Sequence, residues 1–378
     1  MIDGRNKNPY QGVDWTRKLQ VTGCTHMHCT SNTQLHEYLQ QGLEFATLSN
    51  YYPSVPWYPL SSLRENFNRI SQAGYVRRGV WHQDRLDFNA EIQAWKEKLP
   101  AELQTELPFR EGAGLFSDLP QDLLEAPNAE HHWFSDAGIW LHITAPGCRL
   151  SSGSFDIKDQ FGLNQYGGIQ LGAPVPWRQG FRQLLDSAIC PDGGGIVIAH
   201  PNWSHLPQDF ICELLDSDPR VLGIEVFNHG ARYNFSAFSD PIWDAVLSTG
   251  RQCFGFFVQD HPQKDRPWRG KIVLLPEERT AESCLRAMRQ GRFYGMLADN
   301  GLRFEYLDFD GRILRARCNR EVVFELISRT GVVGDVSRGT DFQFVLPEED
   351  RSRHVFLRLT AWEGREEEKL YSQPFMLL

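Results

Sequence analysis

The chain has 378 residues, 41% of them hydrophobic and 23% charged, which fits a barrel-sized folded domain with a smaller companion and excludes a disordered chain. A formal net charge of −9 argues against a general affinity for nucleic acid or anionic membrane, while leaving room for a locally basic pocket that takes a small anion. No stretch approaches the roughly 20 apolar residues of a membrane span, and no apolar run follows the opening MIDGRNKNPYQ. The eight cysteines are scattered without a Cys-x-x-Cys pair, so a cytoplasmic protein with buried free thiols is expected.

In chain order, short apolar or β-branched runs alternate with longer helical patterns, which predicts an α/β architecture. Core strands are expected at Lys18–Gly23, Glu44–Ser49, Trp140–Thr144, Gly195–Ala199, Val221–Phe227 and Gln252–Val258. Helices are expected at Asn32–Gln41, Trp177–Ser187, Pro207–Ser217, Pro241–Ser248 and Thr280–Gln290, each with apolar residues at helical spacing and a cap or proline near its start. The stretch from about 51 to 128 opens on the loop YYPSVPWYPL and continues as polar helical sequence, an insertion or lid carried on a strand-to-helix loop. Its Tyr51, Tyr52, Trp57 and Tyr58 can line an aromatic wall or simply pack on a rim. After Gly301 the grammar changes to short alternating runs separated by Gly, Asp and Asn turns, the signature of a small antiparallel β-sandwich over residues 302–378.

The chemistry-bearing residues follow the strands. His26 and His28 stand at i and i+2 after KLQVTG, so an extended backbone turns both imidazoles to one face, where they can ligate one ion. An isolated His-x-His is weak, and two unrelated loop residues explain it equally. Glu130, in the run Asn128-Ala129-Glu130-His131-His132, offers one carboxylate oxygen to each of two metals. His142 sits in the apolar run IWLHIT, as a ligand or as a buried histidine satisfied by backbone. His200 ends the apolar run GGGIVIAH, and Asp260-His261 ends CFGFFVQ in the same way. Nine of the twelve histidines (26, 28, 131, 132, 142, 200, 205, 229 and 261) lie at or beside such places, and that convergence favours a site.

Over roughly residues 18–300 the arrangement resembles the polymerase and histidinol phosphatase (PHP) superfamily of metal-dependent phosphoesterases. THMH matches its first His-x-His, AEHHWF with LHITAPG its Glu and downstream His, GIVIAHPN its strand-ending His-Pro, and FFVQDHP its final Asp-x-His. KIVLLPEERTAESCLRAMRQGRFYG looks like the closing helix and turn of members that carry a C-terminal β-sandwich. The resemblance implies a distorted (β/α)7 TIM-like barrel over residues 1–301, and a multinuclear centre of manganese, zinc or iron. One metal would be held by His26, His28, Glu130 and Asp260, and a second would share Glu130 and add His142 and His200. Where the family has Asp-His after its second strand, this chain has Asn50-Tyr51, and its last motif reads Asp260-His261-Pro262. A binuclear centre, or a third site rebuilt with Asn50 and His261, is therefore expected.

The function this implies is hydrolysis of a small phosphate ester by a hydroxide held between two metals. His205, His229, Arg149 and Arg232 are candidates for holding the anion or protonating the leaving group, each with a bland alternative as a surface or capping residue. One competing reading is a barrel hydrolase of a lactone, amide or carbamate, disfavoured because Glu130, and no lysine, stands at a suitable strand end. The other is a catalytically decayed protein that binds a glycan or protein.

Overall fold

A computed structural model describes residues 8–28, 32–49, 120, 122–131, 134–137, 140–148, 176–231, 236–261, 270–297, 300–329, 332–364 and 368–377. The aromatic loop and most of the insertion expected at 51–128 lie outside them. In chain order the elements are β1 (Val21–Cys24), α1 (Asn32–Gln40), β2 (Phe45–Ala46), β3 (Leu124–Glu125), β4 (Glu130–His131), β5 (Ile143–Thr144), α2 (Trp177–Asp186) and β6 (Ile196–Ile198). They continue with α3 (Gln208–Ser217), β7 (Val221–Asn228), α4 (Asp240–Leu247), β8 (Phe254–Val258), β9 (Lys271–Leu274), α5 (Ala281–Gln290) and β10 (Phe293–Met296). The last are β11 (Phe304–Phe309), β12 (Ile313–Ser328), β13 (Val332–Val345), β14 (Phe356–Trp362), β15 (Lys369–Tyr371) and β16 (Phe375–Met376). The protein is mixed α/β, as the alternating grammar predicts. Among the described residues no helix is long and apolar enough to cross a membrane.

The chain divides into two compact units, Met1–Cys24 with His200–Leu378, and Thr25–Ala199. In the second unit, β2 and β3 pair in parallel, while β4, β5 and β6 pair antiparallel with Glu130 opposite Thr144 and Ile143 opposite Ile198. These strands are two or three residues long, and all but β3 are fully buried. In the first unit, β7 and β8 form a parallel pair of wholly buried strands, an apolar-run pattern that only a two-sided core explains.

The same unit carries a long antiparallel sheet. Neighbours run β11, β12, β14, β15, β10, β9, β1, with β13 added on β12 and β16 on β14. One face alternates inward, and Leu307, Leu314, Phe324, Phe342, Leu359 and Phe375 meet there in one core. The described strands of residues 302–378, β11 to β16, thus all pair antiparallel, and β15 continues the sheet onto β10 by placing Gly295 opposite Tyr371.

The described strands form no closed barrel. Two features depart from the expected seven-stranded barrel. KIVLL, expected to belong to a closing helix and turn, carries strand β9, and GRFYG carries β10. The ten-residue helix α5 between them returns the chain antiparallel onto its own neighbour rather than across to a parallel strand. Likewise β4 and β5 are joined without a crossover helix among the described residues, so β5 runs back against β4.

Helix boundaries follow local chemistry. The Thr280 hydroxyl accepts from Ser283 N at 3.2 Å to open α5, and Gly291, at φ 73°, closes it in the left-handed conformation that costs glycine little. Proline precedes α2 and α3 and lies in the first turn of α4, where a missing N–H costs no helical bond.

At the back of β8 the side-chain amide of Gln373 mimics a strand neighbour. It accepts from Gly255 N at 2.8 Å and donates to Gly255 O at 2.9 Å. Gln373 N in turn donates to the Tyr10 hydroxyl at 2.7 Å, which itself donates to Phe293 O at 2.9 Å. Beside it, Arg358 of β14 is buried over the Trp243 ring and grips Asp244 of α4 with two bonds of 2.7 and 2.9 Å. The described cysteines are all buried free thiols.

Candidate metal centre

The second unit builds its site from four segments stitched by two side chains. Asn128 donates to Thr25 O (2.7 Å) and Thr47 O (3.1 Å) and accepts from Ala145 N (2.9 Å). Ser49 accepts from Met27 N (2.8 Å) through its hydroxyl, while its backbone accepts from Glu130 N at 3.2 Å. Backbone polar groups that would otherwise be orphaned in a dry interior are thereby satisfied, and the segments holding His26, His28, Glu130 and His142 are fixed in register.

These four side chains are all buried and face one another. His26 Nε2 and His28 Nε2 lie 3.3 Å apart, and Glu130 Oε2 lies 3.4 Å from the first and 3.0 Å from the second. Four ligands at about 2.0–2.1 Å from a tetrahedral ion stand about 3.3–3.4 Å from each other, so this triangle has the dimensions of one face of a coordination shell. The other carboxylate oxygen, Oε1, is 2.8 Å from His142 Nδ1. Glu130 therefore turns one oxygen to a pair of imidazoles and the second to another. A buried carboxylate is costly unless it is hydrogen-bonded, paired or bound to a cation, and the imidazoles around Glu130 are placed to hydrogen-bond it or to share an ion with it. Among the described residues, these buried His/Glu groups lie at ligand distance and could hold a metal ion.

His142 immediately precedes β5 instead of lying within a strand, because β5 runs antiparallel to β4 and its start lies opposite the end of β4. His131, next to Glu130, is fully buried, and burial pushes its imidazole down to about 3 against the pull of the Glu130 charge. The unfolded chain then binds a proton there that the folded one does not, from about pH 6.5 down to about 3. This contribution to stability is full above pH 6.5 and is lost as pH falls through that window. The variant His131→Asn is expected to lose less stability than the parent between pH 7 and pH 5, read as urea midpoints. An unchanged slope would contradict it.

The first unit holds the remaining candidates. His200 is buried after β6, its Nδ1 3.0 Å from Ser204 Oγ and its ring edge-on to Trp203 at 4.9 Å. Asp260 is buried after β8. Both have left-handed backbone, φ 27° and 59°, which L-residues adopt at a cost and which concentrates at functional positions. Gly230 packs so closely on Asp260 that a Cβ there would come within 2.9 Å of its carboxylate. At position 260 a glycine is expected to be about 1–2 kcal/mol more stable than an alanine, since both lose the carboxylate and only Gly relaxes the backbone. Equal urea stabilities for Asp260→Gly and Asp260→Ala would remove the strain argument.

The other sequence candidates separate by burial. His229 is fully buried after β7, whereas His205 is an exposed turn residue at φ 50°. The His261 side chain is half exposed, its Nε2 3.8 Å from Asp260 Oδ1. Asn50, Arg149 and Arg232 lie outside the described residues. Residue type alone singles out neither Ser49 nor Asn128, although Asn128 stands two positions before Glu130. Both work by bonds to distant backbone, which leave no local signature. Glu225 joins them, a fully buried carboxylate in the apolar strand β7 whose sequence signal is a lone charge in VLGIEVFN.

Comparison with protein-family models, with curated proteins and with solved structures found no match to this chain. Its class rests on fold and site: a mixed α/β protein with a buried histidine–glutamate cluster of metal-ligand dimensions.

Proposed function

We propose that the protein is a metal-dependent hydrolase of phosphate esters that holds two divalent cations, manganese, zinc or iron, on either side of Glu130. The carrying observation is the two-sided use of that carboxylate, Oε2 toward His26 and His28 and Oε1 toward His142. The sequence resemblance adds Asp260 to the first ligand set and His200 to the second, and their burial and strained backbones support that assignment. When bound, the ions supply Lewis acidity toward a phosphoryl oxygen and an activated water near neutral pH. The residues of the chain do the rest. Asn128 and Ser49 hold the ligand-bearing segments rigid, and the buried apolar strands around them exclude bulk water. His229, and His205 on its exposed turn, are the proposed groups for orienting the anion or protonating the leaving group. Buried free thiols fit a reducing, cytoplasmic setting.

The test is reconstitution with each metal, elemental analysis, and a parallel assay of phosphate-ester, lactone and carbamate substrates. About two ions per chain and turnover of the phosphate ester alone are expected. Less than one ion per chain, unaltered by His26→Ala, would sink the reading, and turnover of the lactone or carbamate alone would replace phosphoester chemistry with acyl chemistry.

A further inference from the structure

Glu225 lies in the middle of β7, every residue of which is buried, and has itself no solvent exposure. A carboxylate in such a place costs heavily unless its oxygens receive hydrogen bonds. Oε2 receives two. His200 N donates to it at 2.8 Å, and so does Asn228 Nδ2 at 2.8 Å. The first bond fixes the backbone of a residue at φ 27°, a conformation that needs an outside restraint.

The second bond leads further. Asn228 Oδ1 accepts from Ala231 N at 2.9 Å, which closes the turn after β7. Within that turn His229 N and Gly230 N donate to Val258 O and Gln259 O at 3.1 and 3.2 Å, extending the β7–β8 pairing to the edge of Asp260. Gly230 is the residue that packs against the Asp260 side chain. The β7–β8 register also shifts between Glu225 and Phe227, a bulge of the kind that re-aims side chains beside functional sites.

We infer that Glu225 is a positioning residue, which sets His200 directly and Asp260 through Asn228 and Gly230, so that one buried carboxylate orients both ligands supplied by this unit. The inference rests on the metal reading of His200 and Asp260 given above. Its physical basis is the charge-assisted bond: a carboxylate holds a backbone N–H more tightly than a neutral acceptor does. Gln at this position keeps an acceptor but loses the charge, and Ala leaves the His200 N–H without its acceptor.

The experiment is a Co(II) titration of the full chain, followed by calorimetry and by the visible absorption of the bound ion, with thermal unfolding recorded for each variant. Glu225→Ala is expected to weaken Co(II) binding by about 10–100-fold and to change the absorption bands, and Glu225→Gln is expected to recover part of the affinity. In a His200→Ala background, Glu225→Gln should produce a smaller additional loss than it does alone, because one of the two groups it acts through is gone. A purely structural role would give the same loss in both backgrounds, and that result overturns the inference. Should Glu225→Ala fail to fold, Glu225→Gln and Asn228→Ala carry the same comparison. Co(II) binding by the parent with Glu225 variants unaffected overturns this inference alone. Absence of binding by the parent overturns the metal reading together with it.

Discussion

Glu130→Gln protein is expected to fold, to retain less than one metal ion per chain after reconstitution, and to lose the proposed phosphoesterase activity by about 1,000-fold or more. Gln occupies nearly the same volume, so the packing and the backbone bond to Ser49 survive. What disappears is the negative charge shared between two sets of imidazoles, 3.0 and 3.4 Å away on one side and 2.8 Å on the other. Metal ions contribute several kcal/mol of transition-state stabilisation, and each 1.36 kcal/mol is about tenfold in rate, which sets the scale of the loss. The two sides should also separate. His142→Ala is expected to release one ion and His26→Ala the other, read by elemental analysis at a single fixed free-metal concentration. A Glu130→Gln protein that keeps both ions and its activity would rule out the bridging role.

The second large effect concerns stability. Arg358→Ala is expected to cost about 3–5 kcal/mol of unfolding free energy, because it leaves Asp244 as a buried charge without its two bonds of 2.7 and 2.9 Å. The guanidinium also covers the Trp243 ring at 4.9 Å, so packing is lost with the charge. Replacing both partners by apolar residues, Arg358→Met with Asp244→Leu, is expected to recover most of that loss, since an apolar pair leaves no charge stranded. Urea denaturation of the single and double variants checks both statements. A single variant within about 1 kcal/mol of the parent would show that water reaches the pair and relieves it.

Helices were the most legible part of the sequence. The predicted ranges for α2 through α5 agree with the observed ones within one residue at each end, because apolar spacing and a proline or capping residue speak for the same boundaries. Strands β7 and β8 were legible for a related reason, since an unbroken apolar run needs a core on both faces. Direction was not. Nothing local to IWLHIT states that β5 runs against β4, and KIVLL reads equally well as the lead-in to a helix or as a strand. Residue types exposed His26, His28, Glu130 and His142, whose chemistry is carried by the side chain itself. Ser49, Asn128 and Glu225 act by bonding backbone groups as much as 103 positions away, and only the fold brings those partners into view.

The clasp formed by Gln373 on Gly255 has a consequence for how the chain can be cut. By composition residues 302–378 look like a module that could be removed or swapped. Their strand β15 covers the edge of β10, and the Gln373 amide occupies both backbone groups of Gly255 in β8. A chain ended at Gly301 would bare a strand edge beside apolar residues, a template for intermolecular pairing. Such a fragment would be recovered as aggregate, so the C-terminal strands are part of what keeps β8 and β10 from pairing between molecules.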